Sequence, residues 1–97
     1  MRVIAKRVLR EFWEKHSDAE QPLKTWYKKA SNGDWDKPMV IKAEFPSASI
    51  LKNSRVVFNV CRNKYRIVAE INYQRKWLFI RFIGTHATND SIDSDNV

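Results

Sequence analysis

The stretch from Arg55 to His86 limits what this chain can fold into. It reads RVVFNV, CRN, KYRIVAEINY, QRK and WLFIRFIGTH. Three runs rich in β-branched and aromatic residues follow one another with breaks too short for a crossover. They predict neighbouring antiparallel strands in one sheet.

Their register follows from where the apolar residues must go. A turn at Arg62-Asn63 sets Asn59 opposite Arg66, Phe58 opposite Ile67 and Val56 opposite Ala69. Closing the second hairpin over Gln74-Arg75, tightly or with a slightly longer loop, sets Ile67 opposite Phe82, Ala69 opposite Ile80 and Ile71 opposite Leu78. One face then collects Val56, Phe58, Val60, Ile67, Ala69, Ile71, Leu78, Ile80 and Phe82. A one-residue slip would put Arg81 among them, because strand side chains alternate faces. The other face holds Asn59, Cys61, Lys64, Arg66, Val68, Glu70, Trp77, Phe79, Arg81 and Ile83.

The apolar face needs a cover, and the N-terminal half supplies one. Met1–Ala5 reads as a short strand or a helix lead-in. Val8, Leu9, Phe12, Trp13 and His16 recur at helical spacing, and Ser17-Asp18 ends that helix. Pro22 suits the first turn of a second helix, with Leu23, Trp26, Tyr27 and Ala30 on one stripe. Gly33 is expected to close it in a left-handed conformation. These aromatic stripes read as core. Asp36 is a candidate cap for a short helix from Pro38 carrying Val40, Ile41, Ala43 and Phe45. A short strand is expected near Ile50-Leu51, with a turn at Lys52-Asn53-Ser54. The closing SIDSDNV reads as a frayed tail or a short helix containing Ile92.

With 97 residues the chain makes one domain, spanning 1–97. Its formal charge of +7 favours a polyanionic partner, because several cations fall inside strand patterns. The single cysteine, Cys61, excludes an intrachain disulfide and suits a reducing cytosol. No run approaches the roughly 18 apolar residues of a membrane span. The start has no signal-peptide pattern, so a cytoplasmic protein is expected. The chain lacks the spacings of a metal site, and its two glycines exclude a glycine-rich phosphate loop.

The second sheet face carries the chemistry. Arg66 and Arg81 fall mid-strand on adjacent strands, where arginine suits bidentate recognition of phosphate or carboxylate. Trp77 and Phe79 can stack on bases. The competing reading is a salt-bridge lattice of Glu70 with the arginines. His86 ends the last strand, a place where reactive groups are often displayed; a plain surface or capping histidine is the alternative.

The motifs FNV-x-x-NKYR, IRFIGTH and the SID after it resemble those of the HigB-type toxins of bacterial toxin–antitoxin systems, within the RelE-like superfamily. KAEFPSASILKNS is similar to that family's middle segment and IAKRVLREFWEKH to its first helix. The resemblance implies an α+β, RelE-like fold: an antiparallel or mixed sheet with two N-terminal helices packed on one face. It implies an mRNA endonuclease associated with the translating ribosome and neutralised by a helix-turn-helix antitoxin. Operator DNA would be met only through the antitoxin complex, and no cofactor or metal is expected. Matched motif by motif, Arg66, Arg81 and His86 take the catalytic positions. Asn59, Lys52, Lys64 and Asp90 take RNA-binding ones.

The chain departs from the family in two places. The A-E-Y-D-like run after TH is here Ala87-Thr88-Asn89-Asp90, so Asn89 stands at the tyrosine position. Arg62 stands where the turn before NKYR commonly has glycine. The expected chemistry is attack of the substrate 2′-OH on the adjacent phosphate, with Arg66 and Arg81 on the phosphate and His86 as general acid or base. Lys52 or Lys64 would steer RNA or assist proton transfer, and Asp90 would orient His86. The alternative is a module that binds RNA or antitoxin with weakened or no cleavage.

Overall fold

The computed structural model describes residues 1–87 and 93–97. The elements run β1 (Arg2–Ile4), α1 (Lys6–Lys15), a 3₁₀ turn (Ser17–Ala19), α2 (Glu20–Asn32), α3 (Pro38–Glu44), β2 (Ser49–Ile50), β3 (Arg55–Val60), β4 (Tyr65–Asn72) and β5 (Trp77–Thr85). The strands form one mixed sheet in the order β1-β5-β4-β3-β2. β1 runs parallel to β5, and the other pairings are antiparallel. This is an α+β fold of the RelE-like kind: the two expected N-terminal helices, α1 and α2, are followed by the short helix expected from Pro38, α3. No helix among the described residues is long and apolar enough to cross a membrane.

The first hairpin has the expected register, with Val56 opposite Ala69, Phe58 opposite Ile67 and Asn59 opposite Arg66. Arg62 and Asn63 both take positive φ, at 56° and 67°, as the two central positions of a hairpin turn of this hand require. Cys61 also takes positive φ, so regular pairing stops at Val60 and Tyr65. The second hairpin begins as expected, with Ile71 opposite Leu78 and Ala69 opposite Ile80. It then departs. A bulge at Val68/Ala69 leaves Arg81 as an extra residue, so Val68 meets Phe82 and Ile67 meets Ile83. The faces of Phe82 and Ile83 are therefore exchanged relative to the sequence reading, and Ile83 packs against the core.

The core lies between the helices and the inner face of β3, β4 and β5. Val56, Ile67, Ala69 and Leu78 are wholly buried there, as are Leu9, Leu23, Ala30 and Ile41 from the helices. Phe58 is the meeting point. Trp26 meets its ring edge-on at 5.3 Å, Phe45 at 5.1 Å, and Trp35 stacks at 6.1 Å. From the two helical stripes Leu9, Leu23, Trp26 and Ala30 are buried in the core, while Val8, Phe12, Trp13 and Tyr27 are partly buried against it.

Two local expectations fail. Gly33 is extended (φ −72°, ψ 145°), not left-handed. A side chain there would put its Cβ 2.6 Å from the buried Trp35 indole, so close approach explains the glycine better than φ does. Asp36 does not cap α3: the N-cap is Lys37, with no side-chain hydrogen bond. Pro38 at the first helical position supplies the preset φ. Ile92, in the proposed tail helix, lies outside the described residues.

Candidate nucleic-acid interface

The outer face of the sheet splits into two polar clusters at opposite ends of β4. At its N-terminal end, Arg66 pairs across β5 with Gly84. Its Nε donates to His86 Nε2 at 3.2 Å. An arginine N–H can only donate, so His86 Nε2 presents its lone pair to it. Both side chains are half-buried; Arg66 is the second residue of β4, and His86 follows Thr85, the last residue of β5, in helical conformation, not at the end of the strand itself.

The loop leading into Arg66 is tied to the helices. Lys64 forms an ion pair with Asp18 Oδ2, and the Tyr65 hydroxyl donates to Asp18 Oδ1 at 2.6 Å. Cys61 Sγ contacts the Asp18 carbonyl at 3.5 Å. The hydrogen bond from Lys64, then that from Tyr65, holds the Asp18 carboxyl below the usual carboxylate range. The same carboxylate raises the Lys64 ammonium. It also raises the Tyr65 phenol, with burial adding to the effect. Phe12 and His16 stack at 4.3 Å, and both ring systems lean on Tyr65. Lys64, expected to steer RNA, is thus a latch between the β3–β4 turn and the turn joining α1 to α2. His16 is part of that packing. Sequence reading missed Asp18, whose only visible signal was turn chemistry.

At the other end, Glu70 lies between two arginines. Arg81 donates to Glu70 Oε1 from Nε at 2.9 Å and from Nη2 at 2.6 Å. Arg55 Nη1 reaches Glu70 Oε2 at 3.4 Å. Arg55 is further held by the carbonyls of Asn53 (2.8 Å) and Val97 (3.0 Å). Arg81 also lies over the Phe79 ring, 5.3 Å from its centroid, and Arg75 over Trp77 at 5.2 Å. The salt-bridge lattice that the sequence offered as an alternative is therefore present at Arg81, while Arg66 stands outside it.

The remaining candidates divide. Asn59 is opposite Arg66, and its Nδ2 donates to the Ser47 carbonyl at 2.8 Å, which fixes the chain before β2. Its Oδ1 is buried without a hydrogen-bond partner among the described residues. Lys52 is exposed in the β2–β3 turn, at the far end of β3 from Arg66, so the structure does not bring it to the Arg66–His86 pair. Asp90 and Asn89 lie outside the described residues. Among the described residues, no three His, Cys, Asp or Glu side chains converge where they could hold a metal ion.

Fold and face together define a small basic α+β protein with a helix-backed sheet and an arginine- and histidine-bearing outer surface. Residues 19–92 match the HigB toxin family, the RelE-like toxic component of a toxin–antitoxin system. The chain is 30% identical over 92 residues to the mRNA interferase toxin HigB of Escherichia coli strain K12, covering 93% of this chain and 88% of that protein. It is equally similar to the mRNA interferase HigB of Shigella flexneri. It is 28% identical to the mRNA interferase HigB of E. coli strain CFT073 over 95% of this chain and 91% of that protein. The chain belongs to the HigB family of RelE-like toxins.

Proposed function

We propose that this toxin is an mRNA interferase: an endoribonuclease that arrests translation by cutting mRNA on the ribosome. A cognate helix-turn-helix antitoxin would neutralise it. The names of its HigB relatives support the substrate. The observation that carries the chemistry is the hydrogen bond between Arg66 Nε and His86 Nε2, on the face away from the helices.

The reaction is a transesterification within the RNA strand. The 2′-oxygen bonds to the adjacent phosphorus, the bond from phosphorus to the 5′-oxygen breaks, and a 2′,3′-cyclic phosphate and a 5′-OH result. Arg66 turns its guanidinium from the imidazole to the phosphate, where charge grows in the transition state. His86 Nε2, released by that turn, takes the proton from the 2′-OH. The leaving 5′-oxygen takes a proton from solvent water, and His86 returns its own proton to solvent, so the step balances. Arg81 adds a second cation, and Trp77 and Phe79 offer rings for bases to stack on.

Translation in a cell-free bacterial extract tests this reading. The unmodified chain should stop synthesis, and Arg66→Ala or His86→Ala should restore it. Full inhibition by both folded variants would sink the assignment. Binding of RNA or antitoxin by the unmodified chain, with transcripts left whole, would favour a non-catalytic binding module.

A further inference from the structure

The second arginine on the proposed RNA face already holds an anion. Arg81 makes two hydrogen bonds to Glu70 Oε1. This pair differs from an inert surface bridge in its placement, its access and what each partner keeps when it opens.

Placement comes from the bulge. Arg81 is the extra residue at the Val68/Ala69 step, so its backbone stands between the Gly84–Arg66 and Phe79–Glu70 pairs, one residue nearer to the Glu70 pair. Its guanidinium is bonded to Glu70, away from the Arg66–His86 pair. Access is open: the Arg81 side chain is 44% exposed and that of Glu70 is 34% exposed, so a ligand can reach both. Neither group is stranded by separation. Arg81 keeps the Phe79 ring beneath it, and Glu70 keeps Arg55, which two backbone carbonyls hold in place.

We propose that Glu70 is a resident anion that occupies Arg81 in the free protein and is displaced by an RNA phosphate. Glu70 thereby sets a threshold on RNA affinity. A strand must gain enough at Arg66 and along the rest of the face to make the exchange favourable. This rests on the reading of the face as an RNA platform, and it makes Glu70 a positioning residue for Arg81.

The test is binding of a short 2′-O-methyl RNA oligonucleotide, which lacks the attacking hydroxyl, followed by fluorescence anisotropy across a salt series. Glu70→Gln keeps the shape and removes the charge. It should bind about five- to tenfold tighter at low salt, because a like charge near the phosphate is gone. The log–log salt slope should steepen by about 0.7, since the displaced carboxylate no longer recaptures a cation. In an Arg81→Ala background the gain from Glu70→Gln should fall below about twofold. An equal gain in both backgrounds, or no gain while Arg81→Ala still weakens binding, would overturn the proposal. Unchanged affinity in both Arg66→Ala and Arg81→Ala would instead overturn the RNA-face reading. A check needs no variant of Glu70: the Arg81 Nε–H resonance of the unmodified chain should move as the oligonucleotide is added. A resonance that stays fixed at saturation contradicts the exchange.

Discussion

Arg66 and Arg81 are the same residue type on adjacent strands of one face, yet they stand in opposite electrostatic states. Arg66 donates to an imidazole nitrogen, and it has no carboxylate partner among the described residues. Arg81 is matched to a carboxylate that a second arginine helps to hold. Strand alternation put both on the outer face, but their partners decide what each can do. A guanidinium held by an imidazole and not by a carboxylate of the described residues can stabilise charge at a reacting phosphate. A paired one first has to exchange its anion. The difference shows that a basic face is not uniformly available to a polyanion, and that one glutamate can divide it.

The comparison can be broken most severely at the Arg66 end. His86→Ala should lower the RNA cleavage rate about 10²–10⁴-fold if the imidazole moves a proton, measured in single-turnover assays. Arg66→Ala should lower it about 10²–10³-fold, with the unfolding temperature little changed. Arg81→Ala should cost less, under about 10²-fold, because its charge is already partly spent on Glu70. Equal losses at the two arginines would erase the distinction between the ends. Gly33→Ala separates packing from both: it should cost about 1–3 kcal/mol in denaturant unfolding by driving a methyl into the Trp35 ring, and leave cleavage by the folded fraction intact.

The smallest effect concerns the latch behind Arg66. Asp18→Asn removes the carboxylate that holds Lys64 and Tyr65. The depressed Asp18 carboxyl contributes stability above its ordinary pKa of 3.8, lost as pH falls through its lower folded value. The raised Lys64 ammonium contributes below 10.5, lost as pH rises through its higher folded value. The gap in unfolding temperature between the parent and Asp18→Asn should therefore be widest between these limits and narrow at both extremes. A gap independent of pH would show that the ion pair does not secure this end of the face. The Arg81–Glu70 end should be unaffected, which chemical shifts of Phe79 would report.

Much of the fold was legible because its determinants are local or periodic. Alternation placed Val56, Phe58, Ile67, Ala69 and Leu78 inward, and the helical stripes of Leu9, Leu23, Trp26 and Ala30 had only that face to cover. The bulge was not legible. It changes the facing of Phe82 and Ile83, both apolar, so the pattern IRFI reads equally well with or without an extra residue. Gly33 misled for a related reason: a glycine after a helix ordinarily signals a left-handed cap, and the nearby Trp35 ring is a tertiary fact. In the candidate site, Arg66 and His86 were singled out by position and motif, and a hydrogen bond joins their side chains. Lys64 was seen as a cation, but its partner Asp18 is distant in sequence and has no periodic signature. Lys52 matched a basic position without the geometry to bring it to the Arg66–His86 pair.

The account stands most directly on what Arg66 and His86 do to RNA. The decisive measurement is transcript-wide mapping of new 5′ ends, with their terminal chemistry, after brief expression of the unmodified chain and of His86→Ala. The prediction is internal mRNA breaks ending in 5′-OH and 2′,3′-cyclic phosphate, present with the unmodified chain and lost with His86→Ala. Growth arrest with intact transcripts, or the same breaks from folded His86→Ala, would contradict it.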